Sequence, residues 1–101
     1  MMASRAMQAT EVVMALARTP GWSLHGDGDH IAIERSFKFI SHAQAMLFVN
    51  SVGWLSEQID HHPELVLQHC QCVVRWRTHD AGGLTALDFE AARRTDALEP
   101  A

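Results

Sequence analysis

The sequence predicts an α+β domain in which a four-stranded antiparallel sheet carries helices on one face. Two pairs of short, largely apolar segments are each joined by a turn-rich stretch, which favours antiparallel hairpins. Between the two pairs lies a long segment with apolar residues at intervals of three and four, which predicts an amphipathic helix. Shorter helical segments precede and follow the hairpins. The predicted order of elements is therefore α-β-β-α-β-β-α.

Composition places the chain among ordinary globular proteins. It has 101 residues, of which 48% are hydrophobic and 20% are charged, with a formal net charge of −4. We expect one domain over residues 10–97 between loose termini at residues 1–9 and 98–101. The negative charge argues against a nucleic-acid surface, which usually shows clustered Lys and Arg.

The apolar segments are too short for a membrane. None approaches the roughly 18 residues that a spanning helix requires. Residues 1–10 also lack the long apolar core of a signal peptide. We therefore expect a cytoplasmic protein without a membrane partner, in which Cys70 and Cys72 remain free thiols.

The first helix and the first hairpin follow from local signals. Thr10 is expected to cap a helix over residues 11–18, and Pro20 ends it. A hairpin then covers residues 21–39, with its turn in the Gly- and Asp-rich segment 26–29. Its second strand alternates, so one face is mainly apolar. The residues on that face are Ile31, Ile33, Arg35, Phe37 and Phe39.

The long helix is expected to begin after Ser41 and to extend to about Asp60. Ser41 with Gln44 three residues later is typical of a capping box. The apolar stripe consists of Ala45, Phe48, Val52, Leu55 and Ile59, widened by Met46, Val49 and Trp54. A stripe this broad can cover a sheet and also contact a second helix, which predicts a homo-oligomer.

The second hairpin is predicted from apolar segments at residues 65–69 and 72–78, joined by a turn at Cys70-Gln71. This turn pairs position 69 with position 72, so His79 falls opposite His62. Thr85, with Asp88 three residues later, then begins a last helix over residues 86–97.

Three histidines make this hairpin a candidate site. His61 and His62 lie in Asp60-His61-His62-Pro63, and His79 follows Thr78. Imidazole gives and takes protons near neutral pH, so a cluster of three suggests acid–base chemistry. Glu57 lies one helical turn before His61 and could orient an imidazole or hold a polar ligand group.

Other chemistries fit less well. Zinc prefers His and Cys ligands, but Cys70-x-Cys72 lacks a second close pair, and His61 and His62 point apart in extended backbone. A Cys near His69 could be a nucleophile, although one Cys lies in the predicted turn and the other in a strand. No Gly-rich phosphate loop precedes a helix. Adjacent histidines are also commonly surface residues without a function. The spacings therefore do not predict a metal site.

These motifs resemble the pterin-4a-carbinolamine dehydratases. The resemblance covers residues 21–97 and depends on Glu57-x-x-x-His61-His62-Pro63-Glu64, Thr78-His79, Gly83-Leu84-Thr85 and Asp88. It implies an α+β fold, assembly as a homodimer or homotetramer, and no cofactor. The implied reaction converts a 4a-hydroxytetrahydropterin into quinonoid dihydropterin, which recycles the pterin used by an aromatic amino-acid hydroxylase.

The resemblance also implies roles for individual residues. The implied catalytic residues are His61, His62 and His79, and the implied substrate contacts are Glu57, Pro63, Trp22 and Thr78. We expect His62 and His79 to form the proton-transfer pair, because the predicted register aims both at one point, with His61 assisting. Trp22 and Pro63 are the candidate flat walls for a pterin ring.

One position departs from the family, and one alternative function stays open. The family usually has an aromatic residue, often Tyr, where this chain has His69, and the chain contains no Tyr. Affinity or substrate choice could therefore differ. Relatives of the resembled family also act as dimerisation or assembly partners, so a protein-binding module on the same scaffold is the main alternative. The clustered imidazoles favour the enzyme, since a scaffold has no physical need for them.

Overall fold

The computed structural model describes residues 5–99 and confirms the predicted class and order of elements. The helices are α1 (Ala9–Ala17), α2 (His42–Ile59) and α3 (Ala86–Asp96), and the strands are β1 (Ser23–His25), β2 (Ala32–Lys38), β3 (Glu64–Gln68) and β4 (Gln71–Trp76). Short 3₁₀ helices cover Gly28–His30 and His79–Ala81. Within the described residues, no helix combines the length and apolarity needed to cross a bilayer.

The four strands form one antiparallel sheet in the order β1-β2-β4-β3. The two central strands supply the buried centre of the domain. Cys72, Val74 and Trp76 of β4 are fully buried, beside Ile33 and Phe37 of β2. Side chains of α2 and α3 complete this core, which includes Phe48, Val52, Phe89, Ala91 and Ala92.

The second hairpin has a different register from the predicted one. Gln68 pairs with Gln71 and Leu67 with Cys72, so the turn residues are His69 and Cys70. The predicted turn at Cys70-Gln71 is therefore wrong. His69 has a φ of 51°, which lies in the left-handed region. Residues other than glycine seldom adopt this conformation, so the residue type did not predict the turn. The observed register differs from the predicted one by two residues, an even number, and such a shift leaves each side chain on the same face of the sheet.

The helix ends show which capping predictions hold. Ser41 Oγ accepts a hydrogen bond from the Gln44 N–H at 3.1 Å, and Asp60 ends α2 with a φ of 52°. Both ends of the long helix are therefore as predicted. The start of α1 was predicted too late, because Gln8, not Thr10, is its N-cap. The Gln8 N–H donates to a carboxylate oxygen of Glu11 at 2.9 Å.

The predicted loose termini lie partly outside the described residues, which exclude 1–4 and 100–101. In the described part, the Met7 N–H donates to the Leu84 carbonyl at 2.7 Å. Met7 and Leu98 also pack against the core. Contacts with the domain therefore extend beyond the predicted limits, before residue 10 and after residue 97.

Candidate active site

The three predicted histidines line one small polar cavity. Its volume is about 220 Å³, and its lining residues are Asp60, His61, His62, Arg77, Thr78, His79 and Asp80. A larger cavity of about 360 Å³ beside α1 is lined by residues such as Val12, Leu24 and Leu84 and by no titratable side chain. The polar cavity is therefore the candidate site for proton-transfer chemistry.

Two loops at the same end of the sheet bring the histidines together. Asp60 ends α2 in a left-handed conformation, and the His61 N–H donates to the Ser56 carbonyl at 3.1 Å, which fixes the chain at the helix end. His79 begins the 3₁₀ helix that follows β4. His62 and His79 are thus not cross-strand neighbours as predicted, since β3 begins at Glu64 and β4 ends at Trp76. They meet because both loops leave this end of the hairpin.

His61 is the most enclosed of the three imidazoles. Its Nε2 lies 2.7 Å from Oδ1 of Asp88, and its side chain is only 12% exposed. The ring stacks on Trp76, with the ring centroids 5.4 Å apart and an angle of 18° between the planes. Sequence reasoning offered Glu57 as the orienting carboxylate of His61. The structure corrects this, because the partner of His61 is Asp88.

Asp88 is a fully buried carboxylate at the N-terminus of α3. Its Oδ2 accepts hydrogen bonds from the Thr78 hydroxyl at 2.7 Å and from the Thr85 N–H at 3.0 Å. The hydroxyls of Thr78 and Thr85 are 2.8 Å apart. Two donors therefore converge on Oδ2, while Oδ1 faces the His61 ring.

His62 and His79 lie in a more open environment. His62 Nε2 is 2.6 Å from Oε2 of Glu57, but the two side chains are 59% and 68% exposed. An ion pair that open to water is weak. His79 is exposed, and no hydrogen bond within residues 5–99 involves its ring. Both imidazoles are accessible to a ligand in the cavity.

The structure does not bring all the predicted substrate contacts to this cavity. Trp22 is 6% exposed, its Nε1 donates to Asp96 at 2.9 Å, and its ring packs edge-on against Phe37 with centroids 6.1 Å apart. The prediction that Trp22 forms a wall of the site is therefore wrong, because the indole belongs to the core. Pro63 is half-buried and follows His62 without lining the cavity. Thr78 does line it, although its hydroxyl is engaged by Asp88.

Sequence reasoning missed two contributors. Arg77 lines the cavity, with its Nη2 3.5 Å from a carboxylate oxygen of Glu64. Asp88 was recognised as a helix cap from its spacing to Thr85 and as part of the motif that carries the resemblance, but it was given no role beside His61. Its contact with His61 depends on how α3 packs against the end of β4, and no local pattern encodes that packing.

The alternative chemistries gain no support from the geometry. Among residues 5–99, no three His, Cys, Asp or Glu side chains are arranged to hold a metal ion. Cys72 is fully buried, and burial raises the pKa of its thiol, which disfavours the nucleophilic thiolate. Cys70 lies in the β3–β4 turn, away from the cavity-lining residues.

Comparison with known proteins gives a consistent result. The family model for pterin 4 alpha carbinolamine dehydratase matches residues 5–98. A protein of Paracidovorax citrulli, provisionally named a pterin-4-alpha-carbinolamine dehydratase, is 44% identical over 96 residues, which cover 95% of this chain and 83% of that protein. A protein of Stenotrophomonas maltophilia with the same provisional name is 42% identical over 83 residues, covering 82% of this chain and 70% of that protein.

Solved structures share the fold. A transcriptional coactivator/pterin dehydratase from Brucella melitensis matches with a TM-score of 0.86 and 31% identity, covering 95% of this chain and all of that one. A pterin dehydratase-like protein identified as a RuBisCO assembly factor in the alpha-carboxysome matches with a TM-score of 0.66 and 24% identity, covering 77% and 88%. At that identity the second match shows the fold alone.

Proposed function

The chain belongs to the pterin-4-alpha-carbinolamine dehydratase family, and on that premise we propose that it dehydrates a 4a-hydroxytetrahydropterin to quinonoid dihydropterin by histidine acid–base catalysis. The observation that carries the proposal is the cavity in which His61, His62 and His79 meet. Its volume of about 220 Å³ and wide opening suit one face or edge of a small ring system more than a fully enclosed ligand.

The proposed reaction needs proton transfer at two atoms. The C4a–O bond breaks while the electrons of the N5–H bond form the second bond between C4a and N5. Hydroxide is a poor leaving group, so a general acid protonates it and water departs. A general base accepts the N5 proton, and the pterin loses one water with no change in oxidation state. Positioned acid–base groups typically contribute about 10²–10⁴-fold to such steps.

The three imidazoles are the proposed proton donors and acceptors. The predicted pairing of His62 with His79 depended on a hairpin register that the structure does not have. What supports their joint role is that both are exposed and line the same cavity as His61. Glu57 pairs with His62, and Glu57, Pro63 and Thr78 are the proposed contacts for the pterin. The step as proposed uses no metal and no organic cofactor.

A direct assay tests this function. Synthetic 4a-hydroxytetrahydropterin dehydrates spontaneously, and the protein should accelerate the appearance of the quinonoid product, followed by absorbance. The matched controls are His25→Ala and His42→Ala, which change imidazoles outside the cavity. No acceleration by a folded wild-type protein at micromolar concentration would reject the enzyme.

A homodimer or homotetramer is the proposed assembly. The outer face of α2 exposes Met46, Leu47 and Trp54, with Leu47 66% and Trp54 74% accessible. Burying such side chains contributes about 25 cal/mol per Å² before the costs of association. Light scattering of the wild type should therefore give a multiple of the monomer mass. Trp54→Glu should lower it, whereas Ile40→Glu should not, because Ile40 is 90% exposed but lies outside α2.

The same apolar face supports the second candidate function, a protein-binding module. An exposed apolar surface of this kind fits a partner helix as well as another copy of the chain. The two functions separate cleanly by mutation. A binding module would lose its partner on Trp54→Glu and keep it when the cavity histidines are replaced, while the enzyme would respond most to the histidines.

We propose a cytoplasmic location and a functional link to an aromatic amino-acid hydroxylase. The link follows from the reaction, because a hydroxylase of this kind generates the 4a-hydroxypterin that the enzyme consumes. Free thiols at Cys70 and Cys72 suit a reducing compartment. Fractionation of the source cells that placed the protein in an oxidising compartment would contradict the location.

A further inference from the structure

We propose that Asp88 is a positioning residue that sets the tautomer of His61. In this arrangement Nε2 of His61 carries the proton and donates it to Asp88, and Nδ1 is the nitrogen that exchanges protons with a ligand in the cavity. The part of this inference that concerns the ligand rests on the proposed function. The part that concerns the tautomer rests on the geometry alone.

The hydrogen bonds of the Asp88 carboxylate determine which atom carries the proton in its contact with His61. Oδ2 of Asp88 already accepts from the Thr78 hydroxyl and the Thr85 N–H, at 2.7 and 3.0 Å. Oδ1 lies 2.7 Å from Nε2 of His61. An ionised carboxylate has no proton to donate, so the hydrogen in this contact belongs to Nε2. A neutral imidazole with hydrogen on Nε2 has a free lone pair on Nδ1.

Nδ1 of His61 is accessible to solvent. Within residues 5–99, no hydrogen bond involves Nδ1 of His61, and no buried side-chain nitrogen or oxygen is left without a partner. Nδ1 is therefore accessible to solvent, and His61 is one of the residues that line the cavity. Stacking on Trp76 restrains the ring plane, and the hydrogen-bond contact between Nε2 and Asp88 selects the orientation of the ring within that plane.

Asp88 is buried, and its carboxylate is held in place by the helix that it caps. Its carboxylate is at the third position of α3 and caps that helix through the Thr85 N–H, so the helix itself fixes its direction. Because Asp88 is fully buried, its charge is poorly screened by water and stabilises a positive charge that develops on His61. A partner that is fixed, buried and charged suits a positioning role better than the exposed Glu57 does.

The test is Asp88→Asn, which keeps the shape of the side chain. The amide oxygen should take the place of Oδ2, where two donors converge, which turns the NH₂ group toward His61. That group donates to Nε2 and should move the ring proton to Nδ1. Ring ¹⁵N NMR should therefore show the Nε2–H form of neutral His61 in the wild type and the Nδ1–H form in the variant. The kcat for dehydration should fall about 10–100-fold, the loss usual when the partner that orients a functional His is removed.

Ser41→Ala is the matched control. Ser41 caps α2 through the Gln44 N–H and lies outside the cavity-lining residues, so its loss weakens a helix cap without touching His61. It should lower the melting temperature and leave both the tautomer and kcat unchanged.

Each remaining result decides the proposal. A wild-type His61 in the Nδ1–H form overturns it without any variant, which covers the case of an Asp88→Asn protein that does not fold. An Asp88→Asn protein that folds and keeps the tautomer, or changes it and keeps full kcat, also overturns it. If the wild type does not catalyse dehydration at all, the proposed function fails, and the NMR measurement still decides whether Asp88 sets the tautomer.

Discussion

His61 and His62 are adjacent in the chain and differ in almost every physical respect. The His61 side chain is 12% exposed and faces a fully buried carboxylate, whereas His62 is 59% exposed and faces a Glu side chain that is 68% exposed. Their distances to the carboxylate oxygens, 2.7 and 2.6 Å, are nearly equal. The contact distance alone therefore does not measure how much a His–carboxylate pair contributes to the stability of the site.

The difference arises from where each carboxylate is anchored. Asp88 is held in the first turn of α3 by a backbone hydrogen bond, while Glu57 extends from the last turn of α2 into solvent. Water screens the second pair and competes for its hydrogen bonds, but has little access to the first. One site thus contains an enclosed imidazole beside an exposed one, and the following experiments test that contrast.

The largest expected effect is on activity. Replacing His61, His62 or His79 with Ala should slow dehydration about 10²-fold or more, because each removes a candidate acid or base. Combined replacements should cost less than the product of the single losses, since residues that act as a unit are not additive. Full activity in folded His62→Ala and His79→Ala proteins would remove the exposed histidines from the mechanism.

Stability should separate the adjacent histidines. His61→Ala leaves Oδ1 of the buried Asp88 without its partner, so the free energy of unfolding should fall by about 1–3 kcal/mol. His62→Ala breaks only an exposed pair and should cost less than about 1 kcal/mol. Urea denaturation measures both. Equal losses would show that burial of the carboxylate does not distinguish the two sites.

Replacing Glu57 should reduce activity less than replacing Asp88 does. Glu57→Gln keeps a hydrogen-bonding group beside His62 and should lower kcat/KM by roughly fivefold, the equivalent of about 1 kcal/mol for an exposed pair. The wild-type contribution of Glu57 should shrink further in high salt. A loss from Glu57→Gln as large as that from Asp88→Asn would remove the contrast between the two sites.

Removal of metal ions should have no effect. The reaction as proposed needs protons and not a Lewis acid, so activity should survive exhaustive dialysis against a chelator. Elemental analysis of the purified protein provides the check. Stoichiometric zinc, with activity lost on its removal and restored on its return, would replace the acid–base proposal with a metal-dependent one.

The parts of the fold that the sequence predicted well are those with local causes. The length of α2, its Ser41 cap and the Thr85–Asp88 capping pair each depend on residues within a few positions of one another. The hairpin register failed because it depends on one backbone angle at His69, where the residue type gives no signal. Because the register shift is an even number of residues, it does not change which face of the sheet each side chain occupies.

The site likewise contains features that local sequence predicts and features that depend on long-range packing. The predicted hairpin register placed His62 opposite His79, and although that register is wrong, the three histidines line one cavity. The partners could not be read from spacing, because Asp88 reaches His61 across 27 positions of the chain through packing of α3. Trp22 was misplaced for a related reason. Its aromatic ring suits a flat ligand and a core equally, and only the position of Asp96 on α3 decides between them.

Asp88 both caps α3 and contacts His61, and these two contacts link the site to local opening of that helix. Whenever the first turn of α3 unravels, the Thr85 N–H and His61 lose the same carboxylate at once. Amide exchange at Thr85 therefore reports the fraction of time for which the imidazole is correctly held. The free energy of that opening sets an upper limit on the population of assembled sites.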